Sequence, residues 1–322
     1  MTESIAVLVA PGPPPSPARK RAPRRAPFRV AAVQQRWHAD ADEHAEALGI
    51  GIKRAAEAGA QLVCLQELTL SRYFAVDPGG PRAAGVEPEE LPGGRTYRFA
   101  AGMARETGIP VHASLYERVE GDEGLGFNTA IIVASDGRLL ARTRKLHIPV
   151  TAGYHEDRYF RPGPGDDEAF PLVALGEISL GLPTCWDQWF PEVARAYSLK
   201  GADLLIYPTA IGSEPEHPDF DTQPLWEQVI LGNAIANGVF MAAVNRIGEE
   251  LPLRFYGSSF ICDPYGRKLV QAPRDEPTVI VADLDLDQRH DWLDLFPFLT
   301  TRRPSEYTPL VAAAATTPAP AR

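Results

Sequence analysis

Cys185, Glu67 and Lys145 bring together the side-chain types that covalent and acid–base catalysis draw on: a thiol, a carboxylate and an ammonium. Cys185 lies in Leu182-Pro183-Thr184-Cys185-Trp186-Asp187-Gln188-Trp189-Phe190-Pro191-Glu192, which reads as a strand-to-helix turn. Free backbone N–H groups and a helix dipole at such a turn favour thiolate, the nucleophilic form of cysteine. Glu67 follows an apolar run at 62–65, and Lys145 follows a second run at 139–144. Each residue taken singly has a plainer account. A lone cysteine is more often core packing, a strand-end glutamate a surface carboxylate or helix cap, and a strand-end lysine a solvated cation.

What sets the three apart is that each stands just past a strand, where sheet folds gather polar groups into a cleft. The first strand starts at Phe28. Asp40 then has the type and place of a helix N-cap, with Glu43 three residues on as in a capping box; Ala45, Leu48 and Ile52 keep helical spacing, and Gly59 suits the left-handed stop. A helix over 96–107 ends at Gly108 and Pro110, and a strand over 111–116 follows, with Glu117 beyond it. Segments 127–134 and 139–144 flank Ser135-Asp136-Gly137-Arg138, a hairpin signal. Further on come a strand over 178–184, a helix over 191–200 with Pro191 at its first position, and a strand over 204–207. A helix over 225–237 and strands at 240–244, 258–261 and 279–282 complete the pattern. Crossovers mixed with hairpins imply mixed sheets covered by helices.

Composition narrows the functional classes. A chain of 322 residues, 44% hydrophobic, buries a substantial core, and we expect one catalytic domain over 27–310. The net charge of -10 gives no field for phosphate backbones, so nucleic acid is not expected as a partner. Three cysteines form no disulfide framework and point to a reducing, cytoplasmic setting. The N-terminal apolar patch at 5–10 runs into Pro11, Pro13, Pro14 and Pro15 without a basic segment before it, unlike a secretory signal. No apolar run approaches the roughly 20 residues of a membrane span. The basic, proline-rich segment 1–26 is expected to be disordered, and 311–322 to be a flexible tail. The histidines show neither His-Glu-x-x-His spacing nor a paired-cysteine signature, and no phosphate-binding glycine loop is evident; no metal or other cofactor is expected.

Three motifs in order carry a resemblance to the nitrilase superfamily of carbon–nitrogen hydrolases: Leu65-Gln66-Glu67-Leu68, Lys145-Leu146-His147-Ile148-Pro149, and the run from Cys185 to Glu192. The resemblance covers roughly 28–307. Tyr73-Phe74, Gly153-Tyr154, the run from Tyr207 to Pro215, Phe255-Tyr256-Gly257-Ser258-Ser259-Phe260 and Arg302-Arg303-Pro304 are similar to the N-carbamoylputrescine amidase branch. It implies an α/β fold, a four-layer α-β-β-α sandwich, assembled through its helices into a homodimer or higher homo-oligomer. It also implies a small-molecule ureide or amide substrate, with related amidases and ureidopropionase-like enzymes as the neighbouring activities.

The same resemblance assigns roles. Glu67 becomes the general base for Cys185, and Lys145 with the backbone N–H of Trp186 faces the oxyanion. Glu156 orients the lysine and the substrate, and Glu117 is a structural acid near the site; the aromatic faces of Tyr73, Tyr154 and Trp186 either line a substrate channel or pack in the core. Relatives acting on N-carbamoyl amino acids carry an arginine soon after the cysteine, where this chain has Gln188 and Trp189, which argues against an α-carboxylate substrate. Glu214, Glu216, Asp219 and Asp221 form an acidic segment that would attract a cationic amine or simply be solvated. Pro183-Thr184 before the cysteine and Leu70-Ser71-Arg72 before Tyr73 depart from the usual pattern.

Overall fold

Strands such as Val30-Ala31-Ala32-Val33 and Leu204-Leu205-Ile206-Tyr207 are apolar at odd and even positions alike, so both of their faces must be covered. The computed structural model, which describes residues 4–119, 121, 125–151, 153–165 and 169–312, meets that demand with two sheets between two helical layers. In chain order the elements are β1 (Ala6–Val9), β2 (Phe28–Gln34), α1 (Ala41–Glu57), β3 (Leu62–Cys64), α2 (Gly80–Ala83), α3 (Arg95–Thr107), β4 (Val111–Arg118), β5 (Gly126–Val133), β6 (Leu139–Arg144) and α4 (Glu156–Tyr159). There follow β7 (Leu172–Leu175), β8 (Ile178–Gly181), α5 (Pro191–Lys200), β9 (Leu204–Pro208), α6 (Gln223–Asn237), β10 (Phe240–Val244), β11 (Ile247–Glu250), β12 (Leu253–Tyr256), β13 (Phe260–Cys262), β14 (Lys268–Gln271), β15 (Thr278–Leu284) and α7 (Asp287–Leu295).

One sheet has the order β1-β15-β2-β3-β4-β5-β6 and the other β14-β13-β10-β9-β8-β7; β11 and β12 form a separate hairpin. Both sheets are mixed. β2, β3 and β4 run parallel, as do β8, β9 and β10, while β4, β5 and β6 pair antiparallel. Alternation then sorts side chains into layers. Val30, Ala32, Leu204, Ile206, Phe240 and Ala242 meet between the sheets; Ala31 and Val33 pack under α1 and α3, and Leu205 and Tyr207 under α5 and α6. Each fully buried large side chain contributes roughly 1.5–3 kcal/mol. The four-layer α-β-β-α sandwich expected from the sequence is the fold.

Several local readings hold to the residue: Asp40 caps α1 by accepting from Asp42 and Glu43 N–H, and Gly59, Gly108 and Gly201 take left-handed conformations past helix ends. Others shift. The strand expected over 178–184 ends at Gly181, because the chain must turn to present Cys185; Glu117 lies within β4 rather than beyond it. No helix among the described residues is long and apolar enough to cross a membrane.

The largest departure is the N-terminal segment. Disorder was expected over 1–26, yet β1 pairs parallel with β15, in register from Ala6 against Thr278 to Val9 against Val281. Beyond it, Arg19 pairs with Asp285 at 2.7 Å and Asp291 at 2.9 Å, and Arg25 with Asp203 at 3.1 Å and Asp287 at 3.0 Å. Arg24 N–H also donates to Asp287, and the Arg25 guanidinium to the Leu286 carbonyl. Composition treats these arginines as a self-solvated basic run, but most of their carboxylate partners lie more than 250 residues downstream. We predict that Arg25→Ala lowers stability by about 1–3 kcal/mol, as expected for lost charged hydrogen bonds. Chemical denaturation checks this, and an unchanged midpoint would show that the arm is not a strap. Of the C-terminal tail expected over 311–322, 313–322 lies outside the described residues, and Val311 is exposed.

Candidate active site

Glu67 lies three residues past β3, Lys145 one past β6, and Cys185 in the short turn after β8, so strand ends of both sheets deliver all three to one cleft. Lys145 Nζ donates to Glu67 Oε1 at 3.1 Å and to Glu156 Oε2 at 2.7 Å. Glu67 and Lys145 are wholly buried, and Cys185 is 6% exposed. Asn128 Nδ2 also donates to Glu67 Oε1, at 2.6 Å, while Glu67 Oε2 is buried without a hydrogen-bond partner among the described residues. That oxygen is the acceptor left over for an incoming proton.

Cys185 has φ +37°, in the left-handed region that non-glycine residues rarely adopt. Such a conformation persists only where the surroundings hold it. Here the device is Asp187, whose carboxylate accepts from Thr184 N–H at 3.1 Å and His147 N–H at 2.9 Å, and sits 2.8 Å from His147 Nδ1. His147 in turn stacks on Phe190, with ring centres 3.6 Å apart and planes 8° from parallel. One carboxylate thus fastens the Lys145 loop to the Cys185 turn.

The surroundings of Cys185 oppose the thiolate expected at this turn. Burial pushes the Cys185 thiol well above its ordinary range, the Glu67 charge adds to this, and Lys145 and a hydrogen bond from the Ala210 backbone only partly oppose it. The turn is a five-residue 3₁₀ segment, Cys185–Trp189, too short for the dipole of a long helix. A resting thiol needs a base, and Glu67 is the carboxylate at hand. Burial alone would lower Lys145, but the Glu156 and Glu67 charges outweigh it and hold the ammonium protonated. Burial raises Glu156 and the Glu67 charge reinforces it, while Lys145 and the Tyr73 hydroxyl, which donates to Glu156 Oε1 at 2.5 Å, counter the rise.

A cavity of about 370 Å³ opens from Cys185 and is lined by Tyr73, Tyr154, Glu156, Trp186, Trp189 and Glu214, with Ala210, Ile211, Phe220 and Leu225 among its apolar walls. All three aromatics expected in the channel are there. Tyr73 is nearly fully buried and spends its hydroxyl on Glu156, so its part is as much positioning as lining. Gln188 is not in the cavity; its side chain accepts from Trp226 Nε1 at 2.8 Å inside the core. Only Trp189 of that pair faces the substrate space. The acidic segment also divides: Glu214 lines the cavity, Asp221 pairs with Arg274 at 2.7 Å, and Glu216 and Asp219 are exposed. Burial raises the Glu214 carboxyl, with His217 opposing. Glu117 binds Arg144 at 2.7 Å, Arg142 at 3.2 Å and Thr129 Oγ1 at 2.6 Å, none of them in the site.

Sequence reasoning missed Asn128, Arg246 and Glu250. Arg246 is fully buried and donates to the Glu67 carbonyl at 2.6 Å, and Glu250 accepts from Tyr73 N–H at 2.7 Å. The available signal was a polar residue inside or at the end of an apolar strand, as with Asn128 in β5 and Arg246 just after β10, since such residues are rarely buried without a partner.

A sandwich of this topology, with a buried thiol, carboxylate and ammonium at its strand ends, has the parts of a cysteine-dependent hydrolase of amide-type bonds. The carbon-nitrogen hydrolase family model matches residues 29–293, and the chain belongs to that family. It is therefore a carbon–nitrogen hydrolase of the nitrilase superfamily. It is 37% identical over 253 residues to the N-carbamoylputrescine amidase of Solanum lycopersicum, covering 75% of this chain and 82% of the relative. It is 34% identical over 289 residues to the citrullinase of Francisella tularensis, covering 88% and 98%. The solved carbon-nitrogen hydrolase of Helicobacter pylori superposes with a TM-score of 0.76 at 31% identity, covering 89% of this chain and 99% of that one.

Proposed function

We propose that this enzyme hydrolyses N-carbamoylputrescine to putrescine, ammonia and carbon dioxide. The observation that carries the substrate choice is the cavity lining. Among the described residues it holds no arginine or lysine to bind a carboxylate; Glu156 is taken up by Lys145 and Tyr73, and Glu214, with His217 as the one imidazole of the lining, stands on a wall rich in apolar and aromatic side chains suited to an alkyl chain ending in an ammonium. The resemblance to plant N-carbamoylputrescine amidases supports the same choice.

In the mechanism, the free Oε2 of Glu67 takes the proton as Cys185 Sγ attacks the ureido carbon. Lys145 and the Trp186 N–H meet the developing oxyanion, stabilising the tetrahedral state more than the planar substrate. Glu67 returns the proton to the departing ammonia. A water activated by Glu67 then cleaves the thiocarbamate, and the released carbamate loses carbon dioxide to give the amine. Tyr73 and Glu156 keep Lys145 aimed throughout.

The likeness to a citrullinase over nearly that protein's whole length favours citrulline as the second reading, since it shares the ureido head. Ammonia release from N-carbamoylputrescine, citrulline and N-carbamoyl-β-alanine separates the cases, and a preference for either carboxylate-bearing compound would overturn our choice. We predict that Glu214→Gln raises KM for N-carbamoylputrescine by about 5- to 50-fold, the worth of one partly exposed charge contact, and leaves kcat within about threefold. An unchanged KM would place the ammonium elsewhere.

A further inference from the structure

We infer that Arg246 and Glu250 are positioning residues that set the catalytic geometry by clamping the two halves of the acid–base machinery, an inference that rests on reading Glu67 as the base for Cys185. Arg246 is fully buried at the exit of β10, and Glu250 closes β11 and is 4% exposed. Their ion pair is 2.6 Å long. Taking two charges out of water is unfavourable unless their remaining hydrogen-bonding capacity is used, so what they bind indicates what the pair does.

Arg246 Nη2 donates to three carbonyls of one loop: Glu67 at 2.6 Å, Leu68 at 3.2 Å and Ser71 at 3.3 Å. Leu68 has φ +47°, a left-handed conformation that a β-carbon disfavours, and the guanidinium holds the carbonyls on either side of that kink. The kink decides where the Glu67 side chain points. Glu250 uses its second oxygen on Tyr73 N–H at 2.7 Å, and the Tyr73 hydroxyl reaches Glu156, which holds Lys145. Phe255 on β12 packs edge-on to Tyr73, ring centres 5.8 Å apart, with the Arg246 guanidinium 5.4 Å from its ring centre. The stretch from Arg246 through β11 thus carries one ion pair whose cation holds the base and whose anion holds the support of the oxyanion lysine.

The decisive variant is Glu250→Gln. Its carbonyl oxygen still accepts from Arg246, but its amide turns a donor towards the Tyr73 N–H, so the ion pair and the Tyr73 contact are disturbed without a change of volume. We expect kcat for N-carbamoylputrescine to fall roughly 10- to 100-fold with KM within about threefold, as misplacement by a fraction of an ångström does. The second measurement, alkylation of Cys185 by iodoacetamide across pH, does not depend on the substrate assignment. The alkylation rate at neutral pH should fall, and it should climb with pH where the wild type's no longer does, as in Glu67→Gln. Arg246→Lys, which keeps a charge but not the planar fork, should behave alike. If Glu67→Gln alkylates as the wild type does, the base reading fails. If Glu67→Gln is slow while folded Glu250→Gln and Arg246→Lys keep wild-type kcat and alkylation profiles, losing only thermal stability, the clamp is merely structural and the inference falls.

Discussion

Cys185→Ala is expected to lower ammonia release by about 10⁴-fold or more, as loss of the nucleophile does in enzymes whose catalytic groups act as a unit, while the protein stays folded. The fold tolerates the change because the side chain removed is small and the turn is fastened through Asp187 rather than through sulfur. The same variant should lose its reaction with iodoacetamide. Cys64 and Cys262 are wholly buried within β3 and β13, where burial raises their thiols far above the ordinary range, and neither offers an alternative nucleophile. Mass spectrometry of the native protein should accordingly find one modified thiol, at Cys185. Turnover above about 1% of wild type in Cys185→Ala would mean that bond cleavage does not pass through a thioester-type intermediate.

The contrast between Cys185 and its two sisters shows what was legible in the sequence. Burial raises all three thiols, so apolar surroundings alone do not mark the nucleophile. Position relative to strands does, because a strand end is where the backbone turns out of the ladder and a side chain can face a cleft. Glu67, Lys145 and Cys185 stood out by that position together with ordered motifs; the mix of crossovers and hairpins implied mixed sheets covered by helices, and the four-layer architecture came from the resemblance those motifs carry. Arg246 and Glu250 were not found, because their meaning lies in the backbone carbonyls and N–H they bind, up to 179 residues away in sequence. The N-terminal arm failed for a related reason. Its prolines and arginines suggest disorder until the aspartates around α7 are brought alongside. Local pattern reads what a segment prefers alone; ion pairs across the fold answer to partners that no window contains.

Resting protonation of Cys185 has a consequence for rate as well as for labelling. A thiol held high by burial and by the Glu67 charge loses its proton only as negative charge passes on to the substrate oxygen, beside Lys145. On the proposed mechanism, proton transfer and attack are then coupled. Glu156 serves this arrangement by keeping Lys145 charged without taking the Oε2 lone pairs of Glu67.

Glu67→Gln should then be the sharper test, because it preserves shape and removes only basicity. The amide oxygen still accepts from Asn128 and Lys145 at the position of Oε1, and Lys145 keeps Glu156 as its counter-ion, so the fold is expected to persist. With no group to take the thiol proton, kcat at neutral pH should fall by about 10²–10⁴-fold, the usual worth of a general base. The sign of the pH response follows from the raised thiol. Below its pKa the thiolate fraction grows about tenfold for each pH unit, so the variant's residual activity should climb with pH where wild-type activity no longer does. Removing the Glu67 charge also withdraws one cause of the raised thiol, which shifts that climb to lower pH than in a protein retaining the charge. A variant with more than about a tenth of wild-type kcat at pH 7, or with residual activity flat in pH, would assign the proton to another acceptor; a steep rise towards alkaline pH would locate the base at Glu67.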